Sequence, residues 1–256
     1  MSFADVESAN VVGYTTLTIA SKYQIIGVNF QKVSGGSLKL NDAIPYQDGM
    51  TKGNGTGSAD QIQIGDDAGN WIPYYMSNGK NGKGKDVDGI EGKWCPAGKF
   101  AAADVELTPG TSFWYVRNDA TQPAFNLSIA GSVTTLPSAE YAFASKYRIF
   151  ANPYPVPLAL NTAFPYVEET MTKGNGTGSA DQIQIGDNEG NWTPYYLSNG
   201  KNGKGKDVDG IDGKWCPAGK FVDANASIPV GKAAWYVRND TSKPAMQVNW
   251  TKPYDL

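Results

Sequence analysis

Histidine is missing from the chain altogether. Its absence removes the commonest general base, the commonest metal ligand and every Ser-His-Asp or Cys-His arrangement. Cysteine is nearly missing too, present only as Cys95 and Cys216. No apolar run approaches the roughly 18 residues that cross a bilayer as a helix, so no membrane span is expected. Neither sign of charge is in excess: 22 Lys+Arg against 25 Asp+Glu leave −3, with the lysines mixed among the acids. Nucleic acid is therefore not an expected partner. No stretch of a dozen residues keeps a 3.6-residue apolar period with helix caps. Among enzyme classes only glycoside hydrolysis by a carboxylate pair survives, with Asp66 or Asp86 beside Glu91 as the pair. The expectation is a protein that is not an enzyme.

Glycine (30), proline (15), tyrosine (14), phenylalanine (9) and tryptophan (7) are plentiful, a composition of turns and strands. "YTTLTI" alternates polar and apolar residues. "QIQI", the turn "GDDAGN" and "WIPYYMS" read together as a hairpin. "SFWYVRN" and "AFNLSIA" are further strands, and Pro73 inside its run predicts an edge strand or a bulge. The reading is all-β, with six to eight strands in each of two β-sandwich-like or barrel-like domains.

Two domains follow from a duplication. Met50–Phe100 lies on Met171–Phe221 without a gap at an offset of 121 (Met50 to Met171), differing only at Asp67/Asn188, Ala68/Glu189, Ile72/Thr193, Met76/Leu197 and Glu91/Asp212. The match continues to Trp114 and Trp235, and upstream "ASKYQI" meets "ASKYRI" at an offset of 124 (Tyr23 to Tyr147). A unit of about 120 residues is too long for a solenoid repeat, so each copy is expected to be a domain. The expected boundaries are an N-terminal extension at 1–13, copy one at 14–130 and copy two at 131–256. The segment "SANVVGYTTLTI" is a candidate spare strand, able to cap its own domain or to add to a neighbouring molecule.

The repeat includes "GKNGKGKDVDG" at Gly79–Gly89 and again at Gly200–Gly210. Gly79, Gly84 and Lys85 fit the first places of a phosphate loop, yet Asp86 follows where a hydroxyl is needed, and no helix can start in "VDGIEGKWCP". An exposed connection between two aromatic strands is the better reading.

Three residue sets carry candidate chemistry. Asp86, Asp88 and Glu91, with Asp207, Asp209 and Asp212, offer the carboxylates of a D-x-D-G turn to a calcium ion, or are solvated turn acids beside lysines. No other cofactor is expected. Trp71, Tyr74, Tyr75 and Trp94, with Trp192, Tyr195, Tyr196 and Trp215, either fill a core or form a platform for sugar rings; adjacent Tyr74 and Tyr75 point to opposite faces, so one should be exposed. Cys95 and Cys216 are equivalent, and a pseudo-twofold axis near their loops would allow a disulfide; otherwise each is a small buried group.

"ANPYP" (Ala151–Pro155), then "DQIQIGDNEGNWTPYY", then "IPVGKAAWYVRN" resemble a β-repeat module of secreted bacterial surface proteins; copy one keeps "TPGTSFWYVRN". The resemblance covers residues 14–118 and 138–239. It implies an extracellular, non-catalytic β module and brings no catalytic residues. "MSFADVESANVVGY" has no charged and apolar signal-peptide pattern, and "SFA" before Asp5 fits the remnant of a cleavage site. The functional expectation is a structural or assembly protein of the cell surface whose partner is itself. The alternative is a two-site carbohydrate-binding or calcium-dependent adhesion module.

Overall fold

The structure is a computed structural model and describes residues 12–65 and 70–254. Copy one holds β1 (Val12–Ile19), β2 (Tyr23–Gly27), β3 (Phe30–Gln31), β4 (Leu38–Lys39), the single-turn helix α1 (Leu40–Ala43), β5 (Gln61–Gly65), β6 (Trp71–Met76), β7 (Trp94–Pro96), β8 (Glu106–Leu107), β9 (Ser112–Val116) and β10 (Phe125–Val133). Copy two repeats the order as β11 (Ser138–Phe143), β12 (Tyr147–Ala151), β13 (Leu158–Ala159), α2 (Leu160–Ala163), β14 (Gln182–Gly186), β15 (Trp192–Leu197), β16 (Trp215–Pro217), β17 (Ser227–Ile228), β18 (Ala233–Val237) and β19 (Met246–Thr251). The fold is all-β in two halves. The strands outnumber the expected six to eight because the two-residue ladders are too short to leave a periodic signal.

Each copy is built around a five-stranded antiparallel sheet, β2-β9-β5-β6-β7 in copy one and β12-β18-β14-β15-β16 in copy two. A second layer, β1-β10-β3 in copy one and β11-β19 in copy two, covers one face. Alternation does the sorting: Leu17 and Ile19 of β1 and Leu127 and Ile129 of β10 are buried with Ile62, Phe113 and Tyr115 in one core, each such side chain contributing about 1.5–3 kcal/mol by leaving water. Copy two packs the same layer with aromatics, Phe143, Phe150, Phe164, Tyr236 and Trp250. One exchange shows how the repeats diverged without losing volume: the cross-strand pair Ile26–Phe113 becomes Phe150–Ala234. The ring has crossed to the other strand.

The helices α1 and α2 are a single turn each and escape any period-based reading. Asn41 of α1 accepts from the Trp94 N–H at 2.7 Å and donates to the Ala103 carbonyl at 3.0 Å, so the turn clamps β7 in place. Asn161 likewise accepts from the Trp215 N–H at 2.8 Å, but donates to the Asp223 carboxylate at 2.7 Å. Pro73 lies on an inner strand rather than an edge. Its carbonyl accepts from Ala97 just past the end of β7, and its nitrogen points to that same side, where no ladder partner is required.

The expected 130/131 boundary falls inside β10, which runs on to Val133. The expected extension at 1–13 also meets structure: β1 starts at Val12 and pairs along its length with β10, Val12 opposite Ser132 through Ile19 opposite Phe125. Its counterpart β11 pairs in the same way with β19. The strand is thus part of the repeat and docks in its own copy; residues 1–11 lie outside the described residues.

The two halves meet through the outward faces of their five-stranded sheets. Gly27 donates to the Gly231 carbonyl at 2.8 Å, and Ile26 bridges Lys232. A Cβ on Gly27 would lie 2.6 Å from the Ala151 Cβ and 2.8 Å from the Lys232 carbonyl oxygen, so only glycine permits this approach. Ile25, Ala151 and Ala233 are buried there, with Trp114, Ile149, Trp192 and Trp235 packed round them.

Candidate interaction surfaces and the predicted site residues

The "GKNGKGKDVDG" loop closes on itself and then onto its sheet. Asn81 Oδ1 accepts from the backbone of Lys83 (2.9 Å) and Lys85 (3.1 Å), and Val87 N–H donates to Gly79 at 2.7 Å. Gly79, Gly84 and Gly89 take the positive φ these turns demand. Val87 and Ile90 then pack over Tyr75, Cys95 and Ala59 on the outward face of the sheet, a second small core repeated at Tyr196, Ile211 and Cys216. The loop is a cover for β6 and β7.

That cover decides several predicted residues. Tyr74 and Tyr75 do point to opposite faces, but both are buried, because the loop hides Tyr75, whose hydroxyl donates to the Lys99 carbonyl just past β7 at 3.1 Å. Trp94 and Trp215 are fully buried and donate their indole N–H groups to Ile44 (2.6 Å) and Phe164 (2.9 Å). Tyr196 is likewise buried, and Tyr195 is half-buried against the copy-two core. These side chains are core, not platform. Of the predicted set only Trp71 and Trp192 remain at an interface. Cys95 and Cys216 are free thiols, each enclosed in its own small core, so of the two readings the buried small group is the one observed and the disulfide is not formed. Burial raises the pKa of both thiols, which makes them poor nucleophiles.

The acids disperse instead of converging. Glu91 pairs with Lys52 at 2.9 Å and Asp86 with Lys80 at 3.4 Å; Asp212 pairs with Lys173 at 2.9 Å and Asp207 with Lys201 at 3.5 Å. Among the described residues, Asp88 and Asp209 included, no three acids, cysteines or histidines gather as a metal site. The calcium reading of this turn is therefore not supported by its geometry. Asp86 and Glu91 are likewise directed to different lysines rather than paired, while Asp66, the other partner considered for Glu91, lies outside the described residues.

Among the described residues, β1 in copy one and β19 in copy two each have an outer edge with no pairing strand. On β10, the Gln47 side chain holds both the N–H and the carbonyl of Ser128, each at 2.8 Å, so these groups point away from β1. By strand alternation the N–H and C=O of Tyr14 and Thr16 also point outward, and among the described residues nothing bonds them. Tyr14 is 74% exposed and Val12 63% exposed on this edge, and "VGYTTLTI" carries no charge and no proline to blunt it. In copy two the counterpart of Gln47 is Val167: Gln47 N–H donates to Met50 Sδ at 3.4 Å and Val167 N–H to Met171 Sδ at 3.3 Å. Valine has no amide to offer Asn249, the counterpart of Ser128 opposite Glu140. A groove of about 430 Å³ lies along that edge, lined by Leu158, Ala163, Val167, Val248 and Asn249.

The seam between the copies holds two pseudo-equivalent places that differ. At one, Trp114 meets Trp192 edge-on at 6.2 Å. Asn188 Oδ1 there accepts from buried Lys232 and, at 3.4 Å, from buried Gln24. Desolvation lowers the Lys232 pKa. At the other place Lys232 is replaced by Thr111 and Gln24 by Arg148, the counterpart of Asn188, Asp67, lies outside the described residues, and among the described residues Trp71, Tyr141, Arg148 and Trp235 line a cleft of about 850 Å³. Its floor is Tyr141, whose hydroxyl lies 3.2 Å from the Gly110 and Ala151 carbonyls, one from each copy, and whose pKa burial raises.

Sequence reasoning passed over Gln47, Val167, Thr111 and Arg148. The signal available was the set of positions where the two copies disagree outside the near-identical block. No protein-family model matches the chain, and neither a curated protein nor a solved structure is significantly similar to it.

Proposed function

We propose that the chain is a non-catalytic structural protein of the cell surface that assembles head to tail, the outer edge of β1 in one molecule pairing with the outer edge of β19 in the next. The observation that carries this reading is the unequal pair of open edges: Tyr14 and Thr16 unguarded in copy one, Asn249 unguarded in copy two, while Gln47 closes the equivalent edge of β10. A contact between two different surfaces does not close on itself and generates a chain of molecules. Unpaired edge amides and carbonyls are the template for it. The extracellular setting rests on the resemblance of "ANPYP", "NWTPYY" and "AAWYVRN" to the surface-protein module, and labelling of intact cells with an antibody to the chain tests it.

The assembly test uses the intact chain in native mass spectrometry and negative-stain microscopy. Oligomers or filaments are expected, and Thr16→Lys or Val167→Gln is expected to leave a folded monomer. A wild-type chain that stays monomeric at every concentration, or filaments that persist in both variants, overturns the proposal.

A further inference from the structure

We infer that the outer surface of the repeated loop is a binding site for an anionic polysaccharide, one site in each copy. The loop is a cationic rim of fixed shape. Asn81 Oδ1 accepts from the backbone of both Lys83 and Lys85, and Asn202 Oδ1 from that of Lys204 and Lys206 at the same 2.9 and 3.1 Å, so each copy roots two lysines in one pinned turn. A third joins them from the chain that leaves β7 or β16. A methyl group on Gly82 would lie 3.5 Å from the Phe100 ring, and one on Gly203 3.5 Å from the Phe221 ring, which brings Lys99 and Lys220 beside their loops. These six lysines are exposed. Among the described residues no acid pairs with any of them; Asp86 and Asp207 are taken by Lys80 and Lys201, Glu91 and Asp212 by Lys52 and Lys173. The copy-two site lies in an unbroken stretch of described residues.

The class of partner follows from what interrupts the lysines. Asp86 and Asp88 stand in the same loop, and they would repel a polymer as densely charged as duplex nucleic acid, with one phosphate charge per about 1.7 Å. A polysaccharide with one carboxylate on a sugar spreads its charge more thinly. Phe100 is 39% exposed and offers an apolar surface to the C–H groups of a sugar ring. Its tip is turned in against Gly82 and does not project, which disfavours a membrane surface, where an aromatic anchor sinks below the headgroups. Two sites on one chain add avidity when a single polymer reaches both. The inference does not rest on strand pairing, because these loops cover β6–β7 and β15–β16 and not the outer edges of β1 and β19.

The intact chain is tested on immobilised polygalacturonate and hyaluronate at about 50 mM salt, where a dissociation constant of about 10⁻⁶ to 10⁻⁴ M is expected. Binding should weaken at least about tenfold by about 200 mM salt. Lys83→Gln with Lys85→Gln should weaken it at least about threefold, as should Lys204→Gln with Lys206→Gln, and all four together should abolish it. Lys22→Gln with Lys146→Gln removes as much charge from exposed lysines elsewhere and should leave binding unchanged. Every substituted side chain is exposed, so thermal midpoints should match the wild type. Absence of binding to both polysaccharides at low salt overturns the inference. An equal loss from the Lys22 and Lys146 pair does the same, since it would mean attraction by overall charge, and so does tighter binding to duplex DNA or to phosphatidylglycerol vesicles than to either polysaccharide.

Discussion

Gln47 meets Ser128 twice, accepting its backbone N–H and donating to its carbonyl, both at 2.8 Å. One side-chain amide therefore stands in for a neighbouring strand on the edge of β10. Replacing it by leucine keeps the bulk and removes both bonds. Gln47→Leu is expected to lower stability by roughly 1–3 kcal/mol, read by urea unfolding, and to add the β10 edge to those already open, which broadens the size distribution in analytical ultracentrifugation.

The buried ammonium of Lys232 is a local cost to stability. Its folded-state pKa is lowered from the ordinary 10.5 by desolvation, with Asp187 and Glu189 opposing that shift. Below the folded pKa both states hold the proton and the folded chain bears the full desolvation penalty. Between that pKa and 10.5 the unfolded state holds more protons, so wild-type stability rises with pH. Lys232→Met is expected to stabilise the chain by about 1–2 kcal/mol near neutrality. Its advantage should shrink as pH climbs toward 10.5. A pH series of thermal melts checks the sign, and an advantage that grows with pH contradicts it.

Gly27→Ala tests the seam. The added methyl would meet the Ala151 Cβ at 2.6 Å and the backbone of Lys232 at 2.8 Å, neither of which is a flexible chain end. A loss of roughly 1–3 kcal/mol is expected, and hydrogen exchange should quicken at Gly27 and Val28 while the amides of β14 and β15 keep their protection.

The two thiols should be silent in the native state. Both are fully buried and free, so a thiol reagent should modify neither until denaturant is added, when two should react per chain. Reducing agent should not alter the thermal midpoint. Rapid native modification of either cysteine would show that the loop covering it opens readily.

Much of the architecture was legible because strand formation is a local matter. The alternation in "YTTLTI", the turn between "QIQI" and "WIPYY", and the gapless repeat of Met50–Phe100 sufficed for an all-β reading in two halves. Residue type also excluded the nucleotide site, since Asp86 stands where a hydroxyl is required. What the sequence left open was decided by what came to lie on top of what. Pleating alone puts Tyr74 and Tyr75 on opposite faces, and only the loop folding back from Gly79 to Gly89 buries the outward ring. The acids of "DVDGIEG" are neighbours along the chain yet turn to Lys80 and Lys52, because Lys80 lies across the loop's own bridge from Asp86 while Lys52 comes from the connection before β5. Cys95 and Cys216, equivalent in sequence, stay apart because the copies meet through Gly27, Trp114 and Lys232 and not through β7 and β16. Thr111 and Lys232 occupy the same position in the repeat, and only the packing of one copy against the other buries Lys232 and brings its ammonium to Asn188.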